Sequence, residues 1–261
     1  MDHFRRRCKM AKRRKAIRAG RLVKVSLYSC PYPKDGEQER AAKSKCSSLA
    51  RQAMNMKKSH EKLEMSLAAN FDFDDTHIVL TYNDKYLPSC RDDGVALVKK
   101  FIVQLRKALN LQARELKYIY VTEGVHGDKR LHHHMVLNVG ISDLELLLSL
   151  WTYGDVHMER IDDRGYEGLA RYLTKEPREH GGSNGLRSWT PSKNLKKPEI
   201  EYSWVPDDVT LTAPPGAIII ESPLPYRNEF GEFVMMKYLL PKPILKKRKG
   251  RPKRKTKPKI E

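Results

Sequence analysis

Three consecutive histidines, His132, His133 and His134, run directly into the apolar segment Met135-Val136-Leu137. The apolar residues, with a β-branched valine among them, favour a β-strand. Side chains alternate between the two faces of a strand, so His132 and His134 would project from one face and His133 from the other. Two imidazoles on one face can bind one metal ion, whereas the alternative is a polar strand end that binds nothing. We predict that His133 and His157 are ordinary surface or turn residues.

A carboxylate precedes the histidines in the sequence. Glu123 ends residues 116–122, which we predict to be a strand paired with the histidine strand through a glycine-containing turn. A carboxylate there can complete a site with His132 and His134 that keeps open positions and suits Mn²⁺ or Mg²⁺ acting on a phosphate. Glu123 can instead be an exposed hairpin residue. His126 is predicted to lie in the turn and is a spare candidate for the third ligand.

A tyrosine and a lysine form a second candidate group, on a predicted helix over residues 166–175. Tyr172 and Lys175 are three residues apart, so they share one helical face and pair a phenol with a cation. Nearby positive charge makes a phenol more acidic, which suits nucleophilic catalysis; the alternative is that Tyr172 only packs on the sheet. Tyr166 lies about 240° round the helix from Tyr172, so the two tyrosines are not expected to share a site.

The elements that position these residues can be predicted from hydrophobic periodicity. Alternating or β-branched runs predict strands, and apolar residues spaced by three and four predict helices. The expected order is a strand at 76–82, a helix at 95–109, strands at 116–122 and 131–139, a helix at 142–151, a strand at 156–161 and a helix at 166–175. This order suits an α+β fold, in which an antiparallel sheet carries helices on one face as in ferredoxin-like domains.

The rest of the chain divides by composition. Residues 37–70 contain no Pro or Gly and favour helix, whereas residues 209–236 contain four prolines and favour short strands. We predict a basic N-terminal arm (1–24), a mostly helical region (25–70), a catalytic domain (71–204), a small β appendage (205–240) and a basic disordered tail (241–261).

The positive charge is concentrated at the two ends of the chain. The net charge is +19, yet residues 1–24 and residues 242–261 each hold 11 Lys or Arg and one acidic residue. Each end therefore carries +10, and the body between them carries −1. This distribution predicts flexible basic ends that bind a polyanion.

Four scattered cysteines, Cys8, Cys30, Cys46 and Cys90, form no C-x-x-C pair. The pattern argues against a zinc ribbon and a disulfide scaffold, and it fits a reducing cytoplasm. The longest apolar runs are much shorter than a membrane span or the core of a signal peptide. We therefore expect a soluble cytoplasmic protein that does not bind membranes.

At these motifs the sequence resembles the HUH endonucleases, specifically the rolling-circle replication initiators (Rep proteins) of plasmids and phages. The resemblance covers roughly residues 70–200. It is carried by three motifs in the expected order: Ile78-Val79-Leu80-Thr81-Tyr82, His132-His133-His134, and Tyr172-Leu173-Thr174-Lys175. Residues 187–195 also resemble phage-type members. The family's middle position is usually bulky and apolar, so His133 departs from the pattern and leaves another register open. No nucleotide-binding G-x-x-x-x-G-K-[ST] motif is present in the sequence, so no fused helicase is expected.

The resemblance implies a ferredoxin-like or RRM-like endonuclease domain of the single-tyrosine class. His132, His134 and Glu123 would hold Mn²⁺ or Mg²⁺, Tyr172 would attack the scissile phosphate of single-stranded origin DNA, and Lys175 would offset negative charge. The products would be a 5′-phosphotyrosine and a free 3′-hydroxyl, and the reverse step would rejoin the strand at termination. The expected partners are origin DNA and the host's helicase and polymerase, in the cytoplasm of a bacterial cell.

Two other functions fit parts of the sequence. One is a single-tyrosine transposase of the same superfamily, and the other is a non-catalytic basic DNA-binding protein. The basic tail resembles a minor-groove hook, although a solvated charge run is the simpler interpretation. Its candidate DNA-binding residues are Lys247, Arg248, Lys249, Arg251, Lys253 and Arg254.

Overall fold

A computed structural model describes the chain over residues 10–31, 49–124, 129–162, 165–174, 188–228 and 231–242. Within these ranges the protein has four α-helices and two five-stranded antiparallel sheets. The predicted α+β class is therefore confirmed. No helix in these ranges is long and apolar enough to cross a membrane.

The first sheet contains the histidine segment on its central strand. Its members are β3 (Thr76–Leu80), β4 (Tyr118–Glu123), β5 (His132–Leu137), β6 (Val156–Arg160) and β7 (Thr190–Pro191). They are arranged in the order β6-β3-β5-β4-β7, and every neighbouring pair is antiparallel. The predicted pairing of the Glu123 strand with the histidine strand is confirmed.

Helices cover both faces of the first sheet. On one face α2 (Arg91–Leu111) and α3 (Leu144–Leu150) contribute to a core that includes Ile78 and Met135. On the other face α1 (Leu49–Asn70) and α4 (Glu167–Leu173) contribute to a core that includes Val121 and Val136. The predicted order of strands and helices is confirmed. The prediction of helices on one face is wrong, because adjacent residues such as Met135 and Val136 are both buried.

The second sheet is built from the two ends of the described chain. It contains β1 (Met10–Ala19), β2 (Leu22–Pro31), β8 (Glu199–Val205), β9 (Ile218–Asn228) and β10 (Gly231–Leu239), in the order β8-β1-β2-β10-β9. The predicted β strands of residues 205–240 therefore pair with the N-terminal segment and do not form a separate appendage.

The N-terminal arm is a wrong prediction for residues 10–24, which form β1, a tight turn and the start of β2. The turn holds Gly20 at φ +57, and a Cβ there would lie 2.4 Å from the backbone oxygen of Ala68. Buried Ile17, Ala19 and Leu22 anchor the hairpin in the core. Lysines and arginines between these apolar residues obscure the strand pattern in the sequence. Residues 1–9 and 243–261, with the candidate DNA-binding residues of the tail, lie outside the described ranges.

A buried ion-pair cluster ties the second sheet to the helices over the first. Lys237 on β10 donates hydrogen bonds to Glu64 on α1 at 3.0 Å and to Glu167 on α4 at 3.1 Å. Burial alone would lower the pKa of Lys237, but these two carboxylates outweigh it and raise the pKa. Lys237 is therefore a charged brace that helps to fix α4, the helix that carries Tyr172.

Candidate active site

Antiparallel pairing brings Glu123 and two of the three histidines onto one face of the first sheet. Glu123 lies directly opposite His132, and Val121 lies opposite His134. The side chains of Glu123, His132 and His134 offer ligand atoms within 4.8 Å of one another. The two Nε2 atoms are 3.1 Å apart, and the Glu123 oxygens lie 3.7 Å from His132 Nε2 and 3.8 Å from His134 Nε2. The geometry is that of three ligands converging on one point.

Hydrogen bonds to the other ring nitrogens leave both Nε2 atoms facing the site. His132 Nδ1 lies 2.8 Å from the carbonyl of Arg130, so it must donate, and in the neutral ring Nε2 then keeps its lone pair. His134 Nδ1 lies 3.2 Å from Nε2 of His77, and His77 Nδ1 lies 2.7 Å from a carboxylate oxygen of Glu159. A donor chain running from His134 through His77 to Glu159 satisfies all of these contacts. Such partners orient metal-binding histidines and raise their basicity.

Sequence reasoning missed His77 and Glu159. Both lie on the same face as the candidate ligands, because His77 pairs with Val136 on one side and Glu159 on the other. His77 is buried, and burial lowers its pKa despite the opposing effect of Glu159, so it is neutral at pH 7. A histidine inside a β-branched run was the available signal, since a buried imidazole requires a partner.

Glu123 supplies the fit test for a metal. Its Oε1 is buried and accepts no hydrogen bond from any described group. Burial would raise the pKa of Glu123, but His134 and His132 outweigh it and lower the pKa, so the carboxylate is ionised. An ionised, buried oxygen without a donor is costly, and a cation between it and two imidazole lone pairs would remove that cost. The residues therefore fit a divalent metal, and they fit several metals equally well.

Tyr172 lies beside this cluster. Its ring is 4.9 Å from that of His134 and 6.1 Å from that of His77, edge to face in both cases. It is 48% exposed, so a substrate can reach it. Partial burial raises the pKa of Tyr172, and the negative charges of Glu123 and Glu159 raise it further. The phenol is therefore protonated at neutral pH in the absence of added positive charge.

The other predicted residues are placed differently. Tyr166 is buried and donates its hydroxyl to the carbonyl of Phe71, away from the cluster, as its helical phase predicted. His157 is exposed, as predicted. His133 is fully buried on the opposite face, so its prediction as a surface residue is wrong. His126 and Lys175 lie outside the described residues, and both stay predictions.

Comparison with known proteins gives one match. Residues 75–177 match the model of a family of replication-associated proteins described under the name ORF2. No curated protein and no solved structure gives a significant match. The matched segment begins just before β3 and contains Glu123, His132, His134 and Tyr172. This match suggests that the chain is a replication-associated protein of the Rep type.

Proposed function

We propose that this chain is a rolling-circle replication initiator of the HUH endonuclease type, which nicks and rejoins single-stranded origin DNA. The observation that carries the proposal is the convergence of Glu123, His132 and His134 beside the exposed Tyr172 on one sheet face. The family match over the same segment supports it. The host helicase and polymerase are proposed partners, and the cytoplasm of a bacterial cell is the proposed location.

Glu123, His132 and His134 would hold the metal, with His77 and Glu159 fixing the ring of His134. A bound divalent ion would supply positive charge that polarises a phosphate oxygen and offsets the carboxylates that raise the pKa of Tyr172. The mixed nitrogen and oxygen ligands suit Mn²⁺ or Mg²⁺ in this proposal.

Tyr172 is the proposed nucleophile. Its phenolic oxygen loses a proton and attacks the phosphorus, the bond from phosphorus to the 3′-oxygen breaks, and that oxygen takes up a proton. The DNA then carries a 5′-phosphotyrosine on one side of the nick and a free 3′-hydroxyl on the other. Attack by a 3′-hydroxyl on the phosphotyrosine reverses the step without a nucleotide cofactor. Lys175 is proposed to offset negative charge on the phenolate or the phosphorus centre.

The test is covalent capture of labelled single-stranded origin DNA in Mn²⁺ or Mg²⁺, read on a denaturing gel. We expect a denaturation-resistant adduct that EDTA abolishes and added metal restores. His134→Ala should abolish it, because one of the two imidazole ligands is lost. His157→Ala is the matched control, since His157 is an exposed histidine on the same sheet face, and it should leave the adduct unchanged. Adduct formation that persists in EDTA, or that His157→Ala abolishes equally, would contradict the proposal.

A further inference from the structure

A groove lined by basic and apolar residues lies between the two sheets. Its walls are α1, the strands β1 and β8, and residues 189–198, and its volume is about 710 Å³. Ile17, Met65 and Leu195 form part of its floor and belong to or pack against the main core. The groove is therefore a shaped surface on a packed part of the fold.

The charge of this groove is strongly positive. Six lysines line it: Lys15, Lys58, Lys62, Lys193, Lys196 and Lys197. The single acidic residue of the lining, Glu61, lies 2.9 Å from Lys24 and is already paired. Because the body of the chain carries a net charge of −1, this local excess is not a consequence of average composition. Such a surface attracts a polyanion.

Aromatic side chains accompany the lysines. Trp189 lines the groove, with Lys62 Nζ 6.0 Å from the centre of its ring. Beyond Lys15 the same face of the second sheet continues to Tyr202 and Trp204, because Lys15 pairs with Tyr202 and Arg13 with Trp204. The Arg13 guanidinium lies 4.6 Å from the Tyr202 ring and 5.3 Å from the Trp204 ring.

Both of these sheet aromatics are accessible. Tyr202 is 49% exposed and Trp204 is 45% exposed. Exposed rings interleaved with cations suit a single nucleic-acid strand, whose phosphates bind the cations and whose unpaired bases stack on the rings. A duplex hides its base faces, and an acidic protein has no need for stacking, so neither uses both features.

The groove adjoins the strand that carries the candidate metal ligand. Pro191, in the groove lining, pairs with Ile119 on β4, and the same strand ends at Glu123. Four residues of strand span about 13 Å. Trp189 packs against the same core as α4, so the groove and Tyr172 lie on the same side of the first sheet.

We propose that the groove, together with Arg13, Tyr202 and Trp204, binds the single-stranded DNA that continues from the candidate active site, without base specificity. This surface is here called the lysine groove. The inference rests on the proposed function, because it extends the substrate of that site. It predicts that the protein binds a single strand that lacks the origin sequence and cannot be cleaved.

The first test measures binding of a fluorescent oligodeoxythymidine by anisotropy, with the full chain in EDTA, over a range of salt concentrations. Lys193, Lys196 and Lys197 are exposed and are replaced together by Ala. Each phosphate contact on a single strand contributes roughly 0.7 to the slope of log K against log salt, so the triple variant should lose up to about 2 from that slope.

The matched control removes the same charge elsewhere. Lys99, Lys100 and Lys107 are exposed on α2, which packs on the opposite face of the first sheet. Their triple replacement by Ala should leave the slope nearly unchanged. An equal loss in both triple variants would show that only net charge matters and would overturn the proposal, as would an unchanged slope in the groove variant.

The second test addresses stacking. Replacing Tyr202 and Trp204 by Ala should weaken binding by roughly five- to 150-fold for each base whose stacking is lost. Phe73→Ala is the control, because Phe73 is 47% exposed and has the Arg160 guanidinium 5.2 Å from its ring. Equal weakening in the control, or equal competition by duplex and single-stranded DNA, would overturn the proposal.

These readouts separate the lysine groove from the proposed chemistry. Binding is measured in EDTA with DNA that contains no origin, so it does not require nicking. Loss of binding in the groove variants from a protein that forms no adduct would refute the nickase and leave the groove standing. Unchanged binding from a protein that does form the adduct would refute the groove alone.

Discussion

His133 provides a sharp test of the strand register, because its two neighbours are assigned to the metal and it is not. It is fully buried, its Nε2 lies 2.7 Å from the Tyr82 hydroxyl, and its Nδ1 lies 2.9 Å from the Thr122 hydroxyl. The ring therefore acts as a core residue that satisfies two buried hydroxyls. We predict that His133→Ala damages stability, whereas His132→Ala damages metal binding.

The size of the effect follows from burial. Removing a fully buried ring leaves a cavity and costs about 3–5 kcal/mol, including the hydroxyls left without a partner. That loss lowers Tm by roughly 6–20 °C in a chain of this size. The His132 side chain is 21% exposed and touches fewer groups, so His132→Ala should cost only about 1 kcal/mol. Mn²⁺ titration by calorimetry should show binding retained in folded His133→Ala and lost in His132→Ala.

The pH dependence of unfolding gives an independent readout. Burial lowers the pKa of His133 to about 3, whereas an unfolded histidine titrates near 6.5. Between these values the unfolded chain binds one more proton, so stability falls as pH falls below about 6.5. From pH 7 to pH 5 the loss due to His133 is about 2 kcal/mol, and His133→Ala should flatten the urea-unfolding profile by that amount. A variant with unchanged Tm and lost metal binding would refute the register.

Two further predictions concern groups outside the ligand set. His77→Gln should weaken Mn²⁺ binding about 10- to 100-fold with all three ligands intact, because His134 loses its orienting partner; calorimetry checks this, and unchanged affinity would remove His77 from the site. Deleting residues 242–261 should weaken duplex DNA binding and flatten its salt dependence by roughly 0.9 per lost phosphate contact. An unchanged slope would mean that the tail does not bind DNA.

The local part of the fold was accessible from sequence. Strand alternation separated His132 and His134 from His133, and the glycine-containing turn placed Glu123 opposite them, as the register shows. Helical phase placed Tyr166 away from the cluster. These inferences concern residues close together in the chain, where the periods of strand and helix fix which side chains share a face.

The missed features depend on long-range pairing. His77 reaches His134 only because β3 pairs with β5 in one register, and the sequence contains no statement of that register. The second sheet joins β1 to β8 and β2 to β10, across about 190 to 210 residues of chain. Exposed and buried residues of β1 are interleaved with many cations, so charge concealed a strand that tertiary pairing stabilises.

The central claim is that Tyr172 is the nucleophile, and mapping the covalent adduct tests it most directly. Tyr172→Phe keeps the ring against His134 and should stay folded, bind Mn²⁺ and bind origin DNA, yet form no adduct. Tyr166→Phe should still form the adduct, although loss of its buried hydrogen bond should cost about 1 kcal/mol of stability. Proteolysis and mass spectrometry of the wild-type adduct should give one phosphotyrosyl peptide, modified at Tyr172. A peptide modified at Tyr166, or at any tyrosine outside residues 166–175, would contradict the account.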